Sequence, residues 1–140
     1  MNLQFTVYGT PQPQGSARAF MPKSAKHPVI TSDNPKLKSW RQELTQAAMI
    51  ACHDSKFVFP APPRIPLQVT AVFFFKPPKK VNCFYKTTRP DVDKLLRALL
   101  DGMAGVLYME DSLVCSANVV KQYNVPERVE ITVTDIEEES

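Results

Sequence analysis

Nine consecutive residues, Leu67–Phe75, constrain this chain's fold more than any other stretch. They start as an alternation, Leu67, Val69 and Ala71 against Gln68 and Thr70, and finish apolar on both faces in Val72-Phe73-Phe74-Phe75. A strand of that pattern belongs in the middle of a sheet with neighbours on either side. It is far too short to span a bilayer. Other segments must therefore supply flanking strands. Leu3, Phe5 and Val7 alternate with Gln4, Thr6 and Tyr8 near the start, and residues 113–123 read as another strand. Val129, Ile131 and Val133 alternate with Glu130, Thr132 and Thr134, and the turn Asn124-Val125-Pro126-Glu127 makes this last strand a hairpin partner of the one before it.

Two helices complete the frame. Asp33 or Asn34 caps the first, with Pro35 at its first position. Leu37, Trp40, Leu44, Ala47, Ala48 and Ala51 form its buried face, and His53-Asp54-Ser55 ends it. Between Gly9 and Asn34 the chain reads as one long connection of turn residues carrying Arg18, Lys23 and Lys26, either a DNA-contacting arm or a flexible loop. The expectation is an α+β fold in a single domain over residues 1–140, a small mixed sheet of about four or five strands packed with two main helices.

The second helix carries the chemistry. In Arg89-Pro90-Asp91-Val92-Asp93-Lys94-Leu95-Leu96-Arg97-Ala98-Leu99-Leu100-Asp101, Asp91 stands at the N-cap position. Val92, Leu95, Leu96, Leu99, Leu100 and Met103 recur at helical spacing, and Gly105 follows as a stop. Asp91 and Asp93 thus sit at a helix mouth, where the dipole favours anions. A second acidic pair, Glu110-Asp111, follows the short apolar run Val106-Leu107-Tyr108-Met109. Depending on the turn, that run brings the second pair close to the helix or leaves it remote. Carboxylates that converge make a Mg²⁺ site, because this ion takes a few carboxylates and completes its octahedron with water and substrate phosphate. Arg97 and Lys121 are the cations placed to meet such a phosphate. Solvated first-turn acids are the plainer alternative.

The net charge of +3 conceals an asymmetry. Residues 1–90 hold 13 Lys and Arg against 3 acids, whereas residues 91–140 hold 4 against 11. Part of the second excess is the terminal run Glu137-Glu138-Glu139, an ordinary solvated tail. Without it residues 91–140 are still −4. Cations that collect phosphates beside carboxylates that hold a metal are the needs of a metal-dependent nuclease. The basic loop with Lys79, Lys80, Lys86 and Arg89 stands directly before the acidic motif. Phe84 and Tyr85 inside it either stack on bases or cover the core edge, the second being the commoner role.

These residues resemble the RusA-type Holliday-junction endonucleases. The likeness rests on Arg-Pro-Asp-Val-Asp at 89–93, Asp101, Glu110-Asp111-Ser112 and Lys121, and more loosely on Phe5-Thr6-Val7-Tyr8-Gly9-Thr10-Pro11 with Arg18. It implies a Mg²⁺-dependent endodeoxyribonuclease, with Mn²⁺ as a substitute, that acts as a homodimer on branched DNA in recombination and repair. The family's three metal-binding aspartates fall on Asp91, Asp93 and Asp111. Its catalytic lysine falls on Arg97, a departure that keeps the charge but removes a proton-transfer role. Where the family often has Asn, Lys94 stands here. Arg18, Lys79, Lys80, Lys86, Arg89, Lys94 and Lys121 are the expected DNA contacts.

Other readings are weaker. An EF-hand fails because Leu95 and Leu96 occupy positions that need a ligand and a glycine. A basic DNA-binding module whose acids only cap a helix is the main competitor. Cys52, Cys83 and Cys115 are odd in number and lack any CxxC, which argues against a disulfide framework or structural zinc. His27 and His53 read as structural or surface residues. With no signal-peptide pattern or membrane-length apolar run, the expectation is a cytoplasmic protein with neither a membrane association nor a small-molecule cofactor.

Overall fold

The computed structural model describes residues 1–15, 18–20, 29–31, 35–80 and 82–137, with the backbone alone at 18–20 and 29–31. Its elements are β1 (Asn2–Tyr8), β2 (Arg18–Phe20), β3 (Val29–Thr31), α1 (Leu37–Asp54), β4 (Leu67–Phe75), α2 (Val92–Met103), β5 (Val114–Tyr123) and β6 (Arg128–Asp135). The main sheet has the order β1-β6-β4-β5, so the architecture is α+β with a four-stranded mixed sheet and two helices. β4 is central, antiparallel to β6 and parallel to β5. Its alternating buried residues Leu67, Val69, Ala71, Phe73 and Phe75 belong to the core with Val129, Ile131 and Val133 of β6. Among the described residues no helix is long and apolar enough to cross a membrane.

Three expectations change. β5 and β6 are not hairpin partners, because β4 lies between them. Residues 124–127 cross over the end of β4, where the Asn124 amide donates to the Phe75 carbonyl (3.0 Å). Glu127 secures this crossing: its carboxylate accepts from the Lys76 amide (3.1 Å) and the Thr10 hydroxyl (2.6 Å), and its carbonyl accepts from the Gly9 amide (3.0 Å). The sequence pattern of two amphipathic strands around a proline turn cannot distinguish this crossing from a hairpin. The connection after β1 contains the paired strands β2 and β3, with Arg18 opposite Thr31. Lys23, Lys26, Asp33 and Asn34 lie outside the described residues. Finally, α1 begins at Leu37 with Lys36 at the N-cap position, two residues later than Pro35 suggested.

The two helices share a close contact at Gly102. A Cβ there stands 2.9 Å from Leu44 Cβ, and the Thr45 hydroxyl reaches the Gly102 carbonyl at 2.7 Å. Since Leu44 is fully buried, neither partner has room to retreat. Gly102→Ala is therefore expected to cost about 1–3 kcal/mol of stability despite alanine's better helix propensity. Urea denaturation checks this, and an unchanged midpoint would show that the helices can separate freely.

Candidate active site

α2 starts where the sequence places it. Asp91 is its N-cap residue, with extended backbone (φ −73°, ψ 143°), yet the Asp91 side chain makes no capping hydrogen bond. The Asp91 and Asp93 side chains are exposed at the helix mouth. This counts against the view of Asp91 as a mere cap, since a capping aspartate spends an oxygen on a first-turn N–H. The buried face of α2 is Leu95, Ala98, Leu99, Gly102 and Met103. Val92, expected on that face, is 41% exposed.

Lys121 holds the segment that leads into the mouth. Its ammonium donates to the Thr88 carbonyl (2.7 Å) and the Pro90 carbonyl (2.8 Å), tying residues 88–90 to β5. Burial, and after it the charge of Lys86, lowers the Lys121 pKa below the ordinary lysine value, while Asp91 acts in the opposite sense. Two of its three donors serve the backbone. Lys121 thus positions the acidic motif.

The basic loop divides into two kinds of cation. Lys79, Lys80 and Arg89 are exposed. Lys86 is held in place: its Nζ lies 5.3 Å from the centre of the Phe75 ring and 5.5 Å from that of Tyr123, and it donates to the Thr88 hydroxyl (2.9 Å). Phe84 and Tyr85 do not cover the core edge. They are 60% and 56% exposed and form an edge-to-face pair with centroids 5.4 Å apart. An open groove of about 500 Å³ runs along this side, lined by Thr10, Gln12, Phe75, Lys86, Arg89 and Pro90 among others. Its other wall is tied to α2, since the Gln14 amide donates to the Lys94 carbonyl (3.0 Å). Lys94 is half-buried at this join. Nothing is described of the Arg18 side chain.

The second acidic pair is elsewhere. Leu107 and Tyr108 are fully buried, so the return after α2 is anchored in the core beneath the helix's last turn. The Tyr108 hydroxyl donates to the Leu100 carbonyl (2.7 Å). Its pKa is raised by burial first, and then by the negative charges of Asp111 and Asp101. Asp111 therefore stands near the C-terminal end of α2, exposed on a single 3₁₀ turn (Asp111–Leu113) that leads into β5. Glu110 is exposed beside it. The 12 residues of α2 separate this end from the Asp91 mouth by about 18 Å. The return thus leaves the second pair close to the helix, but at the end opposite to Asp91. Among the described residues no three His, Cys, Asp or Glu side chains converge to hold a metal ion. Asp91 and Asp93 are free oxygen donors of the kind a hard dication takes, but one chain does not bring Asp111 to them.

An α+β domain with free carboxylates at a helix mouth, set beside a cationic groove, is the class that this geometry defines. The chain belongs to the endodeoxyribonuclease RusA family, whose model matches residues 10–134. It is 27% identical over 147 residues to an uncharacterized protein, YqaN, of Bacillus subtilis (strain 168), covering 96% of each chain. It is also 31% identical over 74 residues to the crossover junction endodeoxyribonuclease rusA of Lactococcus phage r1t, covering 51% of this chain and 56% of the phage protein.

Proposed function

We propose that this protein is a Mg²⁺-dependent endonuclease that resolves four-way DNA junctions as a homodimer, in DNA recombination and repair. The observation that carries the reading is the pair of exposed carboxylates, Asp91 and Asp93, with no capping bond at Asp91 and with exposed Lys79, Lys80 and Arg89 in the loop that leads to them. Family membership supports the endodeoxyribonuclease activity. A junction with two-fold symmetry needs two matched cuts, which an isologous dimer supplies.

Asp91 and Asp93 would hold the magnesium ion, or manganese in its place, with Asp111 of a second copy as the third carboxylate. The helix length between Asp111 and the mouth within one chain supports that assignment. The bound ion supplies Lewis acidity toward a phosphodiester oxygen and a more acidic water. The residues of the chain do the rest. Lys79, Lys80 and Arg89 draw the phosphate backbone into the groove, and exposed Phe84 and Tyr85 offer faces to unpaired bases at the branch point. Lys121 fixes the carbonyls ahead of Asp91, so the acids present a constant geometry. Arg97, exposed on the second turn of α2, faces the charge that grows on the phosphate.

The test is a gel assay on four-way junction, flap and linear duplex, with Mg²⁺ and with chelator. Symmetric paired cuts on the junction, absent with chelator, are expected. Equal cleavage of linear duplex would overturn the junction assignment, and cleavage in chelator would overturn the metal. In the same assay, replacing Lys79, Lys80 and Arg89 together should weaken binding to every DNA shape and reduce the salt slope by about 2–3. An unchanged slope would show that this loop faces away from DNA.

A further inference from the structure

We infer that the adjacent rings of Phe84 and Tyr85 form a wedge that reads the branch point of DNA and sets the cut at a fixed distance from it. The inference rests on the endonuclease reading above and assigns the residues that give it substrate specificity.

The two rings meet edge to face with planes 89° apart, and more than half of each is exposed. Asn82, Cys83 and Thr87 on either side are exposed as well, so the pair stands clear of the core. Neighbouring aromatic rings left in water call for a partner with apolar or π faces. The charge around them says which. Residues 76–90 hold five Lys and Arg and no acid, a surround that collects phosphates. Base faces flanked by phosphates meet both demands.

The pair is also held rigidly. The Tyr123 amide donates to the Phe84 carbonyl (3.0 Å) and the Lys86 amide donates to the Lys121 carbonyl (3.2 Å), so that Tyr85 bridges antiparallel to Gln122 of β5. Lys86 is pinned against the Phe75 and Tyr123 rings. Lys121 joins this segment to the acids: its carbonyl holds Lys86, and its ammonium holds the carbonyls of Thr88 and Pro90. Asp91 follows directly. Rings and carboxylates are thus fixed to one residue of β5 and keep a constant separation. The six residues from Tyr85 to Asp91 span at most about 20 Å, the rise of about six stacked base pairs.

Stacking decides which DNA the rings favour. At a branch point a base pair presents a face with no neighbour, and a ring that covers it tightens binding about tenfold per base. In a linear duplex every face is already covered. The same ring enters there only by opening a base step, which offsets the gain. The rings therefore favour branched over linear DNA without reading sequence. Through Lys121 they bring a phosphate at a set distance from the branch to Asp91 and Asp93.

The experiment uses the full chain on an immobile four-way junction and on a linear duplex of the same arm sequence. Affinity is measured in chelator, cut positions are mapped to the nucleotide in Mg²⁺, and 2-aminopurine reports stacking at the branch. Phe84→Ala/Tyr85→Ala is compared with the exchange Phe84→Tyr/Tyr85→Phe, which keeps both rings. Both positions are exposed, so both variants should fold and sediment as wild type does. The alanine variant is expected to lose about tenfold or more of the preference for junction over duplex, with duplex affinity kept within about twofold. Its cuts should scatter along the arm, whereas the exchange variant should match wild type. 2-Aminopurine at the branch should change its fluorescence on binding wild type and not on binding the alanine variant. An unchanged preference, or an equal loss of affinity for both DNA shapes, would overturn the wedge. Unchanged cut positions would overturn its part in placing the cut. A changed oligomeric state of the alanine variant would make the rings a protein contact and overturn the wedge as well. Should that variant not fold, 2-aminopurine that stays silent at the branch on wild type overturns the wedge, and a response confined to the branch supports it. A wild type that cuts neither substrate overturns the endonuclease reading, while the binding ratio in chelator still decides the wedge.

Discussion

Asp91→Asn and Asp111→Asn are each expected to abolish junction cleavage, whereas a heterodimer of the two is expected to regain it at one of its two sites. Both side chains are exposed, so neither change should disturb the core, and Asp91 loses no capping bond. Removing a negative charge also leaves DNA binding without metal intact or slightly tighter. The heterodimer separates two designs. If Asp91, Asp93 and Asp111 of one chain formed a site, each chain of the heterodimer would carry a lethal change and activity would stay absent. If Asp111 serves the other copy, one site receives both substitutions and the other receives none. Differently tagged chains, co-expressed and co-purified, should then nick junctions at about half the wild-type rate. The products should be nicked junctions, because the second matched cut is missing. Full inactivity of a folded heterodimer would return all three aspartates to a single chain and contradict the separation along α2.

The parts of this fold that were legible in the sequence are those set by local pattern. β4 occupies Leu67–Phe75 as its alternation and apolar finish dictate, and α2 opens at Asp91 because Pro90 and the apolar spacing leave little choice. Strand neighbours are a different matter. Nothing in Val129-Glu130-Ile131-Thr132-Val133 records whether β5 or β4 lies beside it, since its alternation fixes which face is buried and not which strand lies alongside. The signal that was available, Glu127 after Pro126, has meaning only once Gly9, Thr10 and Lys76 are near it. Gly102 carries no signal of its own for the same reason. Within a helix it reads as a weak position, and its purpose emerges when Leu44 of α1 is set against it.

The site follows the same division. Residue types and short spacings identified Asp91 and Asp93 as a pair and the basic loop as their neighbour. Spacing alone did not decide where Glu110-Asp111 goes, because buried Tyr108 and its bond to the Leu100 carbonyl fix that return. The hydrogen bonds of Lys121 are invisible in the sequence for a physical reason. A lysine ten residues past an acid reads as a free phosphate contact, but the strand brings it under two backbone carbonyls. Lys86, expected as a DNA contact, is an ammonium held between two aromatic rings and a hydroxyl, which its place in a basic loop does not announce.

Arg97→Ala is expected to lower turnover on saturating four-way junction by about tenfold to a thousandfold, the range for losing one donor to transition-state charge. Arg97 lies six residues past Asp91, on the second turn of α2 and about 9 Å along its axis from the mouth. Its i,i+4 relation to Asp93 suggests an intrahelical ion pair worth only a few tenths of a kcal/mol. That pair is not formed: Asp93 and Arg97 are both exposed, and no salt bridge joins them. The exposed guanidinium can therefore swing toward a phosphate at the mouth without first breaking a strong contact. Stability should change by less than about 0.5 kcal/mol, as for other surface substitutions. Since the charge does the work, Arg97→Lys should retain appreciable activity, and binding to junction DNA with chelator should weaken only slightly in either variant. A pure binding role would appear as a raised KM with unchanged turnover. Near-normal turnover of Arg97→Ala at saturation would remove Arg97 from the chemistry and leave the phosphate's charge to the metal and to the carboxylates' own geometry.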